Sequence, residues 1–178
     1  MTRSRIAAAA LASTAFLFAS PAFAVNTGTD TGTIAVSLTV VEECLLATEP
    51  LAFGTTGVVD ANVETSATIT VECTRHSPYE IGLDSGLNDD GSGDVGDRHL
   101  FRSGGAVDDL LQYQLYSDSG YSDVWGDTIG SNTVGSADAT GLDETHEVYA
   151  RIPTHQNGPA GTYADTITAT IWYAGDLP

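Results

Sequence analysis

The chain has 178 residues, and its 24 acidic residues face only six basic ones, all of them arginine, for a net charge of −18 at pH 7. A surface of that sign repels phosphate backbones and anionic headgroups, which excludes nucleic acid and anionic membrane surfaces as natural partners. Two cysteines and four scattered histidines, none in an HExxH or similar spacing, leave little for a metal centre.

In order along the sequence, Arg3 and Arg5 form a positive n-region, Ile6 to Ala19 is an apolar run, and Ala22-Phe23-Ala24 offers a small-x-small cleavage site. Residues 1–24 therefore read as a signal peptide; the apolar run is too short to span a bilayer. Cleavage would leave Val25 to Pro178 with four arginines against 24 acidic residues, a net charge of −20. That length suits one domain with a sizeable core, and no linker divides it. In an exported protein, Cys44 and Cys73 read as one disulfide. The pair would enclose 28 residues, and a loop of that size contributes roughly 3–4 kcal/mol in the loop-entropy account.

Residues 25–32 (VNTGTDTG) form a polar lead into the first alternating run, 33–41 (TIAVSLTVV). There Ile34, Val36, Leu38 and Val40 share one face, with Thr33, Ala35, Ser37 and Thr39 on the other. Strands follow at 67–73 with Ile69, Val71 and Cys73 in line, at 79–83, at 110–116 with Leu111, Tyr113 and Leu115, and at 146–152 with Val148, Ala150 and Ile152. The last run is 163–173, where Ile167, Ala169, Ile171 and Tyr173 line one face. Between the runs lie turn-rich stretches at 84–97, 103–109, 117–123 and 126–145. Six or seven short alternating strands predict an antiparallel β-sandwich, with a closed barrel as the rival. After Tyr173 only five residues follow, ending in proline, too few for a further core strand. An immunoglobulin-like sandwich closes with a seventh strand at its C-terminus, whereas here the spare strand sits at the other end.

The segments TGTIAVSLTVVEEC, LAFG, ITVEC, YEIGLDSG, DRHLF, LQYQLYSD and GTYADTITATIWY, in that order, resemble the spore coat U domain, a family that includes shaft subunits of archaic chaperone–usher pili. The most specific elements are Cys44 and Cys73, Arg98 in its DR pair, and Gly161, Tyr163 and Asp165 of GxYxD. The resemblance implies an incomplete immunoglobulin-like sandwich over 42–178 that lacks its C-terminal strand, with an N-terminal extension over 25–41. It implies that Ile34, Val36, Leu38 and Val40, with Gly32 ahead of them, are donated to a neighbouring copy or related pilin. It further implies a disulfide at the start of the first two body strands, a periplasmic chaperone, an outer-membrane usher and delivery to the cell surface, with a role in adhesion or biofilm.

Competing readings are weaker. The acidic loop with Asp84, Asp89, Asp90, Asp94 and Asp97 invites a calcium site, but setting Gly91 at the invariant EF-hand glycine puts Gly86 where the first carboxylate belongs. Ser103, His99 and Asp97 lie too close in one loop for a nucleophile triad, and no GxSxG elbow exists, so no enzyme and no cofactor is expected. Trp125, Tyr121 and Trp172 are candidates for a binding patch or for the core. Arg98 is expected to pair with Asp97 or Asp165. The alternative function is a self-complemented, monomeric secreted module that binds a glycan or cation.

Overall fold

A computed structural model describes residues 28–177, so the proposed signal peptide lies outside it. Two units divide after Leu38. In the first, residues 28–38 have no regular hydrogen-bonded structure, and Ile34, Val36 and Leu38 are about nine-tenths exposed. Alternation alone forms no strand here, because a strand's backbone groups need a partner.

The second unit is all antiparallel β. Its strands are β1 (Cys44–Thr48), β2 (Val63–Cys73), β3 (Tyr79–Leu83), β4 (His99–Arg102) and β5 (Leu110–Gln112). They continue as β6 (Gln114–Tyr116), β7 (Val134–Ser136), β8 (Glu144–Ile152), β9 (Tyr163–Ala164) and β10 (Ala169–Tyr173). One sheet has the order β1-β2-β8-β6, a second β10-β3-β7 and a third β5-β4-β9. The first order is that of the A-B-E-D sheet of an immunoglobulin-like sandwich, and β3 with β10 supplies C and F. Among the described residues no strand stands in the G position beyond β10.

The β2–β8 pair is the spine, with Val63 opposite Ile152 and Val71 opposite Glu144. Its inward residues Ile69, Val71, Val148, Ala150 and Ile152 pack against Tyr79, Ile81 and Leu83 of β3. Trp125 is fully buried among them and donates its indole N–H to the Ile81 carbonyl at 2.9 Å.

Two predicted strands are broken, for one reason. Within 110–116 the backbone leaves the third sheet and enters the first at Tyr113, whose N–H donates to the Arg98 carbonyl at 3.0 Å. Within 163–173 it passes from the third sheet to the second through 165–168. The Thr168 N–H there donates to an Asp84 carboxylate oxygen at 2.9 Å. The inward face survives both crossings: Leu111, Tyr113 and Leu115 are all buried, and Ile167, Ala169, Ile171 and Tyr173 all pack half-buried on the core.

Cys44 and Cys73 are joined as a disulfide. They stand opposite each other in the β1–β2 register, so the bond ties the start of β1 to the end of β2. The implied placement at two strand starts is corrected by the antiparallel pairing, which brings opposite ends together. Beside the bond, the Thr74 hydroxyl donates to the Val41 carbonyl at 3.0 Å and accepts from the Glu43 N–H at 3.1 Å, fastening the root of the body.

Candidate functional site

A groove of about 1410 Å³ runs along the body between β1 and the 163–169 stretch leading into β10. Its floor is the inward face of both sheets, including Ile69, Leu83, Leu115 and Val148. Its rims are Leu46 and Thr48 with the 49–59 connection on one side, and 156–169 on the other. Among the described residues each flanking strand has one sheet partner, β2 for β1 and β3 for β10. Two strand edges with unpaired backbone groups therefore border an apolar trough, a template for a further strand.

The rim nearest β10 is held by a polar network rather than by sheet pairing. Asp165 accepts from the Leu87 N–H at 3.0 Å, the Asn88 amide at 2.8 Å and the Tyr113 hydroxyl at 2.7 Å. Burial, then the hydrogen bond to Asp165, raises the Tyr113 pKa far above that of a free phenol, so it stays a neutral donor. Gly86 has φ +85, and a Cβ there would lie 2.1 Å from an Asp165 carboxylate oxygen, so only glycine fits. Asp84 caps the rim from the other side, accepting from the N–H groups of Gly86 and Thr168.

Arg98 sits beneath this network with no exposed surface. It donates to the carbonyls of Asp84 at 2.9 Å, Leu83 at 2.7 Å and Trp125 at 2.9 Å, and to Gln114 Oε1 at 2.6 Å. Among the described residues it forms no ion pair, which corrects the expected partnership with Asp97 or Asp165. Burial lowers its pKa, opposed by Tyr113 and the nearby carboxylates of Asp84, Asp127 and Asp165. The fork of the guanidinium reaches several backbone carbonyls at once, which a carboxylate partner would have prevented. Gln114 carries no local signal in the sequence; its partner is set by tertiary contact.

The other motif residues hold the third sheet. A Cβ on Gly161 would meet Arg102 Cδ at 2.6 Å, and the Tyr163 hydroxyl donates to the Pro159 carbonyl at 2.8 Å. Arg102 in turn pairs with Asp109. Gly32 has open space about it, and Val40 is exposed like the rest of its stripe.

The acidic loop does not converge on a point. Asp89 accepts from Gly93 N–H and the Ser85 hydroxyl, Asp90 from Ser92 N–H, Asp94 from Gly96 N–H and Asp97 from Asp90 N–H. These are turn-capping carboxylates. Among the described residues no three potential ligands gather as a metal site. Trp125 belongs to the core and Trp172 packs on Gly82, whereas Tyr121 lies between Tyr116 and Tyr149 beneath the Arg151 guanidinium. The three aromatics form no common patch. No helix among the described residues is long and apolar enough to cross a membrane.

Fold and groove together define an immunoglobulin-like sandwich open along one side, between the strands in its A and F positions. The protein belongs to the Spore Coat Protein U domain family, whose match runs over residues 30–170. This is a family of structural subunits, not enzymes. Protein U of Myxococcus xanthus is 35% identical over 109 residues, covering 61% of this chain and 59% of the relative, so the chain spans less than two thirds of that protein. One component of the CsuC–CsuE chaperone–tip adhesion subunit pre-assembly complex, from archaic chaperone-usher Csu pili of Acinetobacter baumannii, matches with a TM-score of 0.54 and 24% identity. That match covers 75% of this chain and 40% of the other, and it shows the fold. The E. coli Hda pilus minor tip subunit HdaB is more distant, with a TM-score of 0.42 and 15% identity over 77% of this chain and 87% of that one.

Proposed function

We propose that the protein is a structural subunit of a surface pilus or coat, and that it polymerises when residues 25–41 of one copy complete the sheet of the next. The observation that carries this reading is the groove, an apolar trough bordered by the free edges of β1 and β10. The extension supplies a matching stripe, since Ile34, Val36, Leu38 and Val40 are all largely exposed. Burying four such side chains is worth roughly 1.5–3 kcal/mol each, and the inserted backbone satisfies both edges. A slip by one residue would turn Ala35, Ser37 and Thr39 inward, so the register is tightly set. Each copy donates at one place and accepts at another, a heterologous contact that propagates into a filament.

The same exposed edges are an aggregation hazard before assembly, which accounts for a periplasmic chaperone as a partner and an outer-membrane usher as the exit. A solved structure of similar fold comes from chaperone–usher pili, which favours this route and a surface location after export. Adhesion and biofilm formation would follow from the filament.

The test is co-expression with a chaperone, comparing the full-length protein with one lacking residues 25–41. The shortened protein should still bind the chaperone and yield no denaturant-resistant ladder. A ladder from the shortened protein would sink the proposal.

A further inference from the structure

Of the five asparagines, at 26, 62, 88, 132 and 157, only Asn157 is followed by glycine. Asn157 is exposed, and it lies in the 153–162 connection that forms one rim of the groove. Among the described residues, neither its side-chain amide nor the Gly158 N–H has a protein hydrogen-bond partner. With no side chain on residue 158, the backbone nitrogen is open to approach from the preceding residue.

We infer that Asn157 is a spontaneous modification site that ages the groove rim. The Gly158 nitrogen attacks Asn157 Cγ, forming a new C–N bond and closing a five-membered succinimide. The bond from Cγ to Nδ2 breaks, and that nitrogen leaves as ammonia with the proton from Gly158. Water then opens the ring at either carbonyl, leaving aspartate or isoaspartate at position 157. No oxidant or reductant takes part.

The site's flanks make the product consequential. Gln156 is clamped to β5, accepting the Gln112 N–H at 2.6 Å and donating to its carbonyl at 2.7 Å, and it bridges to buried Val59. On the other side the Pro159 carbonyl is held by Tyr163, and a Cβ on Gly158 would lie 2.6 Å from the Tyr163 hydroxyl. Isoaspartate adds one methylene to the backbone between these anchors. The rim must then bulge or release one of them, and every product adds a carboxylate beside the apolar trough. The effect on donor uptake, unlike the modification itself, rests on the proposed donor-strand reading.

The full-length protein and its Asn157→Gln variant are incubated in mildly alkaline buffer beside a synthetic peptide of residues 153–162. Peptide mapping and isoaspartyl methyltransferase labelling then follow position 157. The wild-type protein should gain about one mass unit there, with label, at no less than roughly a tenth of the peptide's rate, since an exposed loop is little protected. The variant, whose ring closure would be six-membered, should stay unchanged. An unmodified Asn157 after the peptide has fully converted overturns the inference. Uptake of a fluorescent peptide of residues 32–42 by aged protein should fall several-fold for wild type and not for the variant; equal uptake by both overturns the rim effect. If fresh protein takes up no donor peptide, the donor-strand reading fails while the mass measurement still decides the modification.

Discussion

Residues 33–41 and 163–173 both alternate with period two, the first setting Ile34, Val36, Leu38 and Val40 on one face and the second Ile167, Ala169, Ile171 and Tyr173, with mostly threonine or small residues opposite. In the structure their fates diverge. The later segment pairs with β3 from Ala169 to Tyr173, and its stripe is half-buried on the core. The earlier one has no strand partner among the described residues, and its stripe is exposed. Alternation therefore specifies a face for burial and leaves the partner open. The half-burial of Ile167 and Ala169 is the counterpart of that exposure, because both line the groove.

The contrast predicts that damage to the body costs stability and damage to the extension costs assembly. The largest effect is expected at Arg98. Arg98→Ala leaves the carbonyls of Leu83, Asp84 and Trp125 unpaired under the groove rim and should cost about 3–5 kcal/mol, read by denaturant unfolding. Next comes a matched pair of aspartates. Ile171→Asp, opposite the fully buried Ile81, should cost about 2–4 kcal/mol. Leu38→Asp should change monomer stability by less than about 0.5 kcal/mol while abolishing polymer ladders. Equal destabilisation by both aspartates would break the comparison.

The smallest expected effect is a pH dependence confined to the body. His146 is packed edge-on to Tyr79 and Trp125, with its Nε2 at 2.8 Å from the Tyr79 hydroxyl. Burial lowers its pKa below the ordinary histidine value, opposed by nearby Glu144. The unfolded state therefore takes up a proton that the folded state resists. Stability is full above the ordinary histidine pKa, near 6.5, and declines as the pH falls below it. Melting temperatures from neutral to mildly acidic pH should show that decline in the wild type and a weaker one in His146→Gln. Glu144, held low by the Thr140 N–H and the Tyr79 hydroxyl, adds a further loss only in the carboxylate range.

Much of the body was legible because inward faces persist even where strands do not. The stripes at 69, 71 and 73, at 111, 113 and 115, and at 148, 150 and 152 all lie in the core. Three strands carry too little pattern to be read. β1 is short, and its Leu45 is largely exposed, so it shows little alternation. β4 is half-buried throughout and has no contrast between faces. β7 contains Gly135, which reads as a turn residue, yet a Cβ there would lie 2.0 Å from the Tyr79 carbonyl oxygen, so close approach of β3 requires it.

From the sequence by itself came the all-β class, the face that each long strand buries and the stripe at 34, 36, 38 and 40, because period and polarity are local properties. The tertiary structure decided what is non-local. It placed the sheet crossings at Tyr113 and at 165–168, bounded the groove with β1 and β10, and gave Arg98 its partners. Those partners are mostly backbone carbonyls, which every residue possesses and which no sequence pattern can advertise.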